Sequence, residues 1–253
     1  MSDVLVVRAA VAPLHAEPRA GAEQASQVLA GHVVERVDAR EPWLRVRAPD
    51  GYDGWMHRGY VMEMGSAAYA RQYGQARVSL GCEVREASGV RRALPLGARL
   101  DSEARIERGD AVDGGAMASR FPRSPAAAAA TARDAFTGTS YQWGGVTPWG
   151  ADCSGMVQTA FGLHGLPLPR DARDQAAHGV LVAGGLSALE AGDLAFFSDR
   201  TDGRVTHVAI ALGAMRLVHL AIGRGGYALE TLDTPDEYAK LLIARFLEGR
   251  RLG

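Results

Sequence analysis

One interruption constrains this chain more than any other feature. The run Phe121-Pro122-Arg123-Ser124-Pro125 cannot lie inside a helix, because a proline there removes a hydrogen bond and clashes with the preceding turn. The same run contains a helix start. Ser124 is a good N-cap and Pro125 suits the first helical position. The alanine run Ala126–Ala130 and its continuation to Phe136 are therefore expected as helix rather than as low-complexity chain. Residues 121–136 form a linker and helix, with different kinds of sequence on either side.

Before the break, residues 1–64 read as short strands. Val4–Val7, Val33–Val37 and Trp43–Val46 are apolar or β-branched, with Gly31, Pro42 and Pro49-Asp50-Gly51 as punctuation. Closely spaced strands without a long helix suggest a small barrel. Residues 65–120 offer Val78–Leu80, Cys82–Val84, Arg91–Pro95 and Ala104–Glu107 as further strands, a possible second barrel. After the break, residues 137–253 alternate differently. A loop rich in Gly, Thr and Trp (138–151) precedes a helix starting at Cys153, which Gly165 and Pro167 stop. Strands are expected over Leu194–Phe197, Val205–Leu212, Arg216–Ile222, Tyr227–Leu232 and Leu241–Phe246. One helix against largely antiparallel strands is an α+β layout.

Composition removes several function classes. The 253 residues suit one or two domains, and 47% apolar with 23% charged residues is ordinary for a globular chain. With 28 basic and 29 acidic side chains there is no electrostatic footprint for nucleic acid. No window approaches ~18 uninterrupted apolar residues, so no membrane span is expected. The first residues, MSDVLVVRAAVAPLHAEP, lack the basic start and long apolar run of a secretory signal. Two cysteines cannot build a disulfide framework. These features together give the expectation of a cytoplasmic protein.

The chemistry centres on Cys153. A thiol in the first turn of a helix faces unpaired backbone N–H groups and the positive end of the dipole, which favours the reactive thiolate. Its place between Asp152 and Ser154, after a glycine-rich loop, is poor for core packing and good for access. A cysteine nucleophile needs a base. His207 and His219 each sit within an apolar strand, where an imidazole needs a hydrogen-bond partner. On paired strands they can form a relay, one against the thiol and the second orienting the first. This carries a geometric condition. Side chains alternate faces along a strand, so a clean two-residue loop at Gly213-Ala214 would put the histidines on opposite faces. A three-residue loop, Gly213-Ala214-Met215, would put His219 opposite Ala209, diagonal to His207 at about 7–8 Å, so the relay demands an odd loop or a bulge.

These residues carry a resemblance. Tyr141-x-Trp-Gly-Gly, Asp152-Cys153-Ser154-Gly155, Leu168-Pro169-Arg170-Asp171, Gly192-Asp193-Leu194-x-Phe-Phe, Thr206-His207-Val208 and Val218-His219 occur in this order. Over residues 137–253 the chain resembles the NlpC-type papain-like cysteine peptidases of bacteria. Asp50-Gly51-Tyr52-Asp53-Gly54-Trp55 resembles the bacterial SH3-like barrel that precedes this domain in one subgroup, which cleaves γ-D-glutamyl–diamino acid bonds in free muropeptides. The resemblance implies an α+β papain-like catalytic domain behind one or two small all-β SH3-like barrels. It implies Cys153 as nucleophile, His207 as base, His219 as its orienting partner and Tyr141 as a helper of the oxyanion site. It places Asp152, Ser154, Arg170 and Asp171 along the substrate groove, with Asp152 suited to an ammonium group. Tyr52 would close the groove around the free amine of an N-terminal L-alanine, and an acidic residue of the first barrel, Glu17 or Glu23, would complete that amine site.

The substrate so implied is a muropeptide, L-Ala-γ-D-Glu-diamino acid, in peptidoglycan recycling, with no cofactor. Diaminopimelate or lysine at the third position and the oligomeric state stay open. Ala172 departs from relatives, which commonly carry a hydroxyl residue there. Two other readings stand beside this one: a zinc site built from Cys153, His207 and His219, and a catalytically inactive cell-wall peptide-binding module. Cys82, with no histidine nearby in sequence, reads as structural, and Glu248-Gly249-Arg250-Arg251 as a solvated tail.

Overall fold

The computed structural model describes residues 3–86 and 88–253. It divides into two compact units, residues 1–120 and 121–253. Among the described residues no helix is long and apolar enough to cross a membrane.

The first unit begins with seven strands: β1 (Asp3–Val7), β2 (Val11–His15), β3 (Gln24–Leu29), β4 (Val33–Arg40), β5 (Trp43–Arg47), β6 (Asp53–His57) and β7 (Val61–Gly65). They join in the order β3-β2-β6-β5-β4-β1-β7. Alternation explains the inside. In β5, Leu44 and Val46 point inward while Arg45 and Arg47 point out, and Leu14, Val28, Val34, Met56 and Val61 complete the same core. The Asp-Gly turn joins β5 to β6. Gly51 takes φ +84, a conformation side chains resist, and the Asp50 carboxylate accepts from the Tyr52 N–H at 3.0 Å.

Residues 65–120, expected as strands alone, begin instead with a helix, α1 (Ser66–Tyr73). Three strands follow, β8 (Val78–Arg85), β9 (Arg91–Leu94) and β10 (Arg105–Val112), then a single turn, α2 (Met117–Arg120). The strands form one antiparallel sheet in the order β10-β8-β9. Hydrogen bonds tie it to the barrel: the Arg99 N–H donates to the Ala30 carbonyl at 2.9 Å, and the His32 side-chain Nε2 lies 2.9 Å from the Gly97 carbonyl. Cys82 is buried here, 3.3 Å from the Ser79 hydroxyl.

The second unit starts where the prolines place it. Helix α3 (Pro125–Ala135) is capped by the Ser124 hydroxyl, which accepts from the Ala127 N–H at 3.3 Å. A two-strand hairpin, β11 (Val146–Thr147) and β12 (Gly150–Ala151), leads into α4 (Cys153–Leu163), and α5 (Ala172–Gln175) is a single turn. The sheet follows: β13 (Val180–Leu181), β14 (Leu194–Phe197), β15 (His207–Gly213), β16 (Arg216–Ala221), β17 (Gly226–Thr231), α6 (Glu237–Arg245) and β18 (Phe246–Arg251). Its order is β13-β18-β14-β15-β16-β17, antiparallel throughout. Helices α3 and α4 pack on β15 and β16. Ala195, Phe197, Ala209, Ala211 and Leu217 pack with Ala239 and Leu242 of α6. With both faces covered, β14 is buried along its whole length, which explains its unbroken apolar run.

Two expectations fail at the C-terminus. Leu241–Phe246 is not a strand: residues up to Arg245 belong to α6, whose Asp236 cap accepts from Tyr238 and Ala239 N–H groups at 2.9 and 3.0 Å. Short apolar runs fit either period, and the cap signal decides here. Residues 248–251 are not a solvated tail. They lie in β18, between β13 and β14, and Arg251 grips the Asp193 carboxylate at 2.8 and 2.7 Å.

Candidate active site

The hairpin β11–β12 delivers the chain to Asp152, whose carboxylate starts α4. Oδ1 accepts from the Gly155 N–H at 2.7 Å, and Oδ2 from the Gly144 N–H at 2.8 Å. The first turn presses on the glycine loop so closely that a Cβ at Gly155 would lie 2.1 Å from the Gly145 carbonyl oxygen. Arg170 closes the arrangement. Its Nη1 and Nη2 donate to the two Asp152 oxygens at 3.0 and 2.6 Å, and Nη1 also donates to the Ser154 hydroxyl at 2.8 Å. The two charged side chains are 2% and 7% exposed. With the Ser154 hydroxyl donating as well, at 3.3 Å, the Asp152 carboxylate is already filled by donors of the protein. The Asp152 carboxylate holds the start of the helix that bears Cys153. Asp171, by contrast, is exposed and heads α5 without a side-chain cap bond.

Cys153 follows this cap and is 6% exposed, more buried than a helix start implied. Burial pushes its thiol up, and the Asp152 carboxylate adds to the rise. N–H groups of Val208 and Ser154 pull the other way. The expected bias toward thiolate is thus reversed, because desolvation outweighs one helix end. The Val208 N–H belongs to the residue after His207, which puts the thiol at the start of β15.

The histidine strands meet the geometric condition. Ile210 pairs with Val218 and Ala211 with Leu217, then the register shifts before Gly213 pairs with Arg216. Leu212 is the extra residue. Carried one step on, this register sets His219 opposite Ala209, diagonal to His207. The turn itself has two residues, Ala214 and Met215, both left-handed at φ 50 and 58. So a bulge, and not a three-residue loop, puts both histidines on one face. His207 Nε2 lies 2.8 Å from His219 Nδ1. Burial pushes the His207 imidazole down, and its neighbour His219 adds to this. Burial thus disfavours the charged form of both groups.

Sequence reasoning missed the next partner. Glu230, in β17, is 5% exposed, and its Oε1 lies 3.3 Å from His219 Nε2. Arg224 grips both Glu230 oxygens, Nε to Oε1 at 2.8 Å and Nη2 to Oε2 at 2.9 Å. Burial opposes the Glu230 carboxylate, but bonds from His219 and Arg224 outweigh it and hold its pKa at about 2. The signal was available: Leu217 pairs with Glu230, so a carboxylate lies diagonal to His219 on the same face. Both His219 nitrogens are occupied, which leaves that residue no lone pair for zinc. Among the described residues no group of three His, Cys, Asp or Glu is placed to hold a metal ion.

Tyr141 enters through its backbone, donating N–H to Gly225 at 3.1 Å and bridging Ala151. Burial, then the nearby Cys153 and Asp152, push its hydroxyl well above the usual range. It stays a protonated donor. In the first unit, Tyr52 packs on the barrel core from the β5–β6 turn, and Glu17 is exposed and paired with Arg19 at 3.0 Å.

A thiol on a helix start beside a histidine pair on an antiparallel sheet defines a papain-like catalytic fold. Comparison with known proteins places it more closely. Residues 138–245 match the model of the NlpC/P60 family, and residues 10–62 that of the bacterial SH3 domain. The chain carries an NlpC/P60 domain behind a bacterial SH3 domain. It is 37% identical over 108 residues to a gamma-D-glutamyl-L-lysine dipeptidyl-peptidase of Bacillus cereus, covering 41% of this chain and 32% of that protein. Against the protein of the same name from Bacillus subtilis it is 38% identical over 111 residues, covering 43% and 36%. The chain thus spans about a third of the length of these relatives. The crystal structure of an NlpC/P60 family protein from Bacillus cereus superposes with a TM-score of 0.78 at 20% identity, over 99% of both chains, a likeness of fold.

Proposed function

We propose that this protein is a cysteine peptidase that hydrolyses the γ-D-glutamyl–diamino acid bond of muropeptides bearing a free N-terminal L-alanine. The observation that carries the reading is the placement of Cys153 at the head of α4, beside the start of β15, with His207 and His219 in hydrogen-bond contact at 2.8 Å. His207 takes the thiol proton, and the sulfur attacks the carbonyl carbon of the γ-glutamyl unit. The developing oxyanion accepts from the Cys153 backbone N–H and from the Tyr141 hydroxyl. His207 then gives its proton to the departing amine, and water, with His207 again as base, hydrolyses the thioester.

The named activity of the Bacillus relatives supports the bond class. The free-amine preference is carried over from the resemblance of Asp50-Gly51-Tyr52-Asp53-Gly54-Trp55 to the barrel of the muropeptide-cleaving subgroup. Ser154 and Arg170 act from inside, holding the helix start that presents Cys153. A peptide needing a free amine is a released fragment and not intact wall, which suits recycling.

Product analysis by mass spectrometry tests this on L-Ala-γ-D-Glu-diamino acid peptides, free or blocked at the alanine nitrogen. A charge-assisted hydrogen bond lost on blocking is worth roughly 1.5–3 kcal/mol, or about one to two decades in rate. Equal kcat/KM on free and blocked peptides would remove the free-amine part and leave only the peptidase assignment.

A further inference from the structure

The relay does not end at its second histidine. We infer that Glu230, held by Arg224, is a positioning residue that sets the tautomer of both imidazoles and so aims the basic nitrogen of His207 at the thiol. The inference deepens the peptidase reading and rests on it for turnover, though not for the tautomers.

The argument runs through donors and acceptors. An ionised carboxylate only accepts. Glu230 is ionised at neutral pH because Arg224 occupies both its oxygens, at 2.8 and 2.9 Å. At 3.3 Å from Glu230 Oε1, His219 Nε2 must then carry a proton and donate it. A neutral imidazole with its proton on Nε2 has a bare Nδ1, which accepts. The atom facing that Nδ1 at 2.8 Å is His207 Nε2, so His207 carries its proton there and donates. His207 Nδ1 is left with its lone pair, the form that can take a proton from Cys153. Reversal anywhere along this chain would put a proton on the nitrogen that has to act as base.

The surroundings favour one direction. His219 is fully buried, so no water competes for its nitrogens. The other charged and titratable groups at this end are Arg224, Asp236 and Tyr238. Arg224 Nη2 also donates to Asp236 at 2.9 Å, its guanidinium stacks 4.4 Å over the Tyr238 ring, and that ring lies 6.0 Å from His219. Asp236 is at once the cap of α6. The carboxylate is therefore fixed by an arginine that is itself pinned to a helix start. When His207 gains the thiol proton, the positive charge it acquires is shared through His219 toward Glu230.

The direct test is the 15N spectrum of the histidine side chains in the labelled full-length protein at neutral pH, which reads the tautomer at each ring. Wild type is expected to show His207 and His219 both protonated on Nε2 with bare Nδ1. Glu230→Gln keeps the shape but offers an amide that can donate as well as accept. It is expected to mix the tautomers and to lower kcat on the defined muropeptide by about tenfold or more, with KM little changed, a part of the 10²–10⁴ that a positioned base contributes. Should that variant not fold, Glu230→Gln with Arg224→Gln removes the unpaired guanidinium as well, and the same mixing is expected. A wild-type His207 protonated on Nδ1 would overturn the inference, as would either variant retaining wild-type tautomers and kcat. If wild type cleaves no muropeptide, the peptidase reading fails, while the tautomers still decide the role of Glu230.

Discussion

Asp152 and Glu230 both lie buried in the second unit, and each is gripped through two oxygens by an arginine, yet the two pairs hold different things. Arg170 is 2% exposed and its carboxylate caps the helix that bears Cys153. Arg224 is 33% exposed and its carboxylate touches no helix start, only His219. The helix side of the site is a matter of folding: an ion pair, two backbone N–H groups and a hydroxyl fix where the thiol sits. The strand side is a matter of protonation: a carboxylate fixes which nitrogen is bare. The Cys153 thiol and the histidine pair are thus each backed by the same kind of ion pair for different ends, so substitutions on the two sides should separate stability from turnover.

The largest effect expected is on the strand side. His207→Ala should lower kcat/KM by about 10²–10⁴ or more, as loss of a positioned base does. His219→Ala should leave more activity than His207→Ala, because it removes an orienting partner and not the base. Equal inactivity of the two variants, measured on one defined peptide, would break this ranking.

On the helix side the expected effect is on folding. Arg170→Met leaves a buried carboxylate without its counter-charge and should cost about 3–5 kcal/mol in denaturant unfolding. Arg224→Met should cost less, since its guanidinium already meets water. If Arg224→Met proved the more destabilising, the division between the two sides would be wrong.

The pH profile sharpens the comparison. Burial lowers the His207 imidazole, so its base form persists to lower pH than an ordinary histidine's. The acid limb of kcat/KM, which belongs to the coupled thiol–imidazole pair, should therefore lie below pH ~6.5. An acid limb above that value would mean that burial does not hold the His207 imidazole down.

The smallest effect concerns the turn that brings the histidines onto one face. Ala214 sits at φ 50, where a side chain costs about 1 kcal/mol. Ala214→Gly should raise stability by up to about 1 kcal/mol in the same unfolding measurement while kcat stays at the wild-type value. Reduced turnover would show that turn strain matters to the relay.

Legibility in sequence followed how local the signal was. The Ser124-Pro125 start and the Asp152 cap were readable because a cap needs three or four neighbouring residues. The relation of His207 to His219 was readable as a condition on register, and the bulge at Leu212 satisfied it. Glu230 was not singled out, because its meaning depends on a second strand pairing, β16 with β17. Strand β18 was lost because its charged residues and glycine resemble a tail until Arg251 meets Asp193, a contact 58 residues away. The run 241–246 failed for the opposite reason, as a short segment whose apolar pattern fits more than one period, and helix α1 was not read at all.

The account's central claim is that the Cys153 sulfur is the nucleophile. The direct measurement is mass spectrometry of an L-Ala-γ-D-Glu-diamino acid peptide incubated with wild type and with Cys153→Ala, together with a far-ultraviolet spectrum of both proteins. Wild type is expected to release the free diamino acid portion and L-Ala-D-Glu, and a folded Cys153→Ala to release neither. A folded Cys153→Ala variant with wild-type turnover would contradict the account.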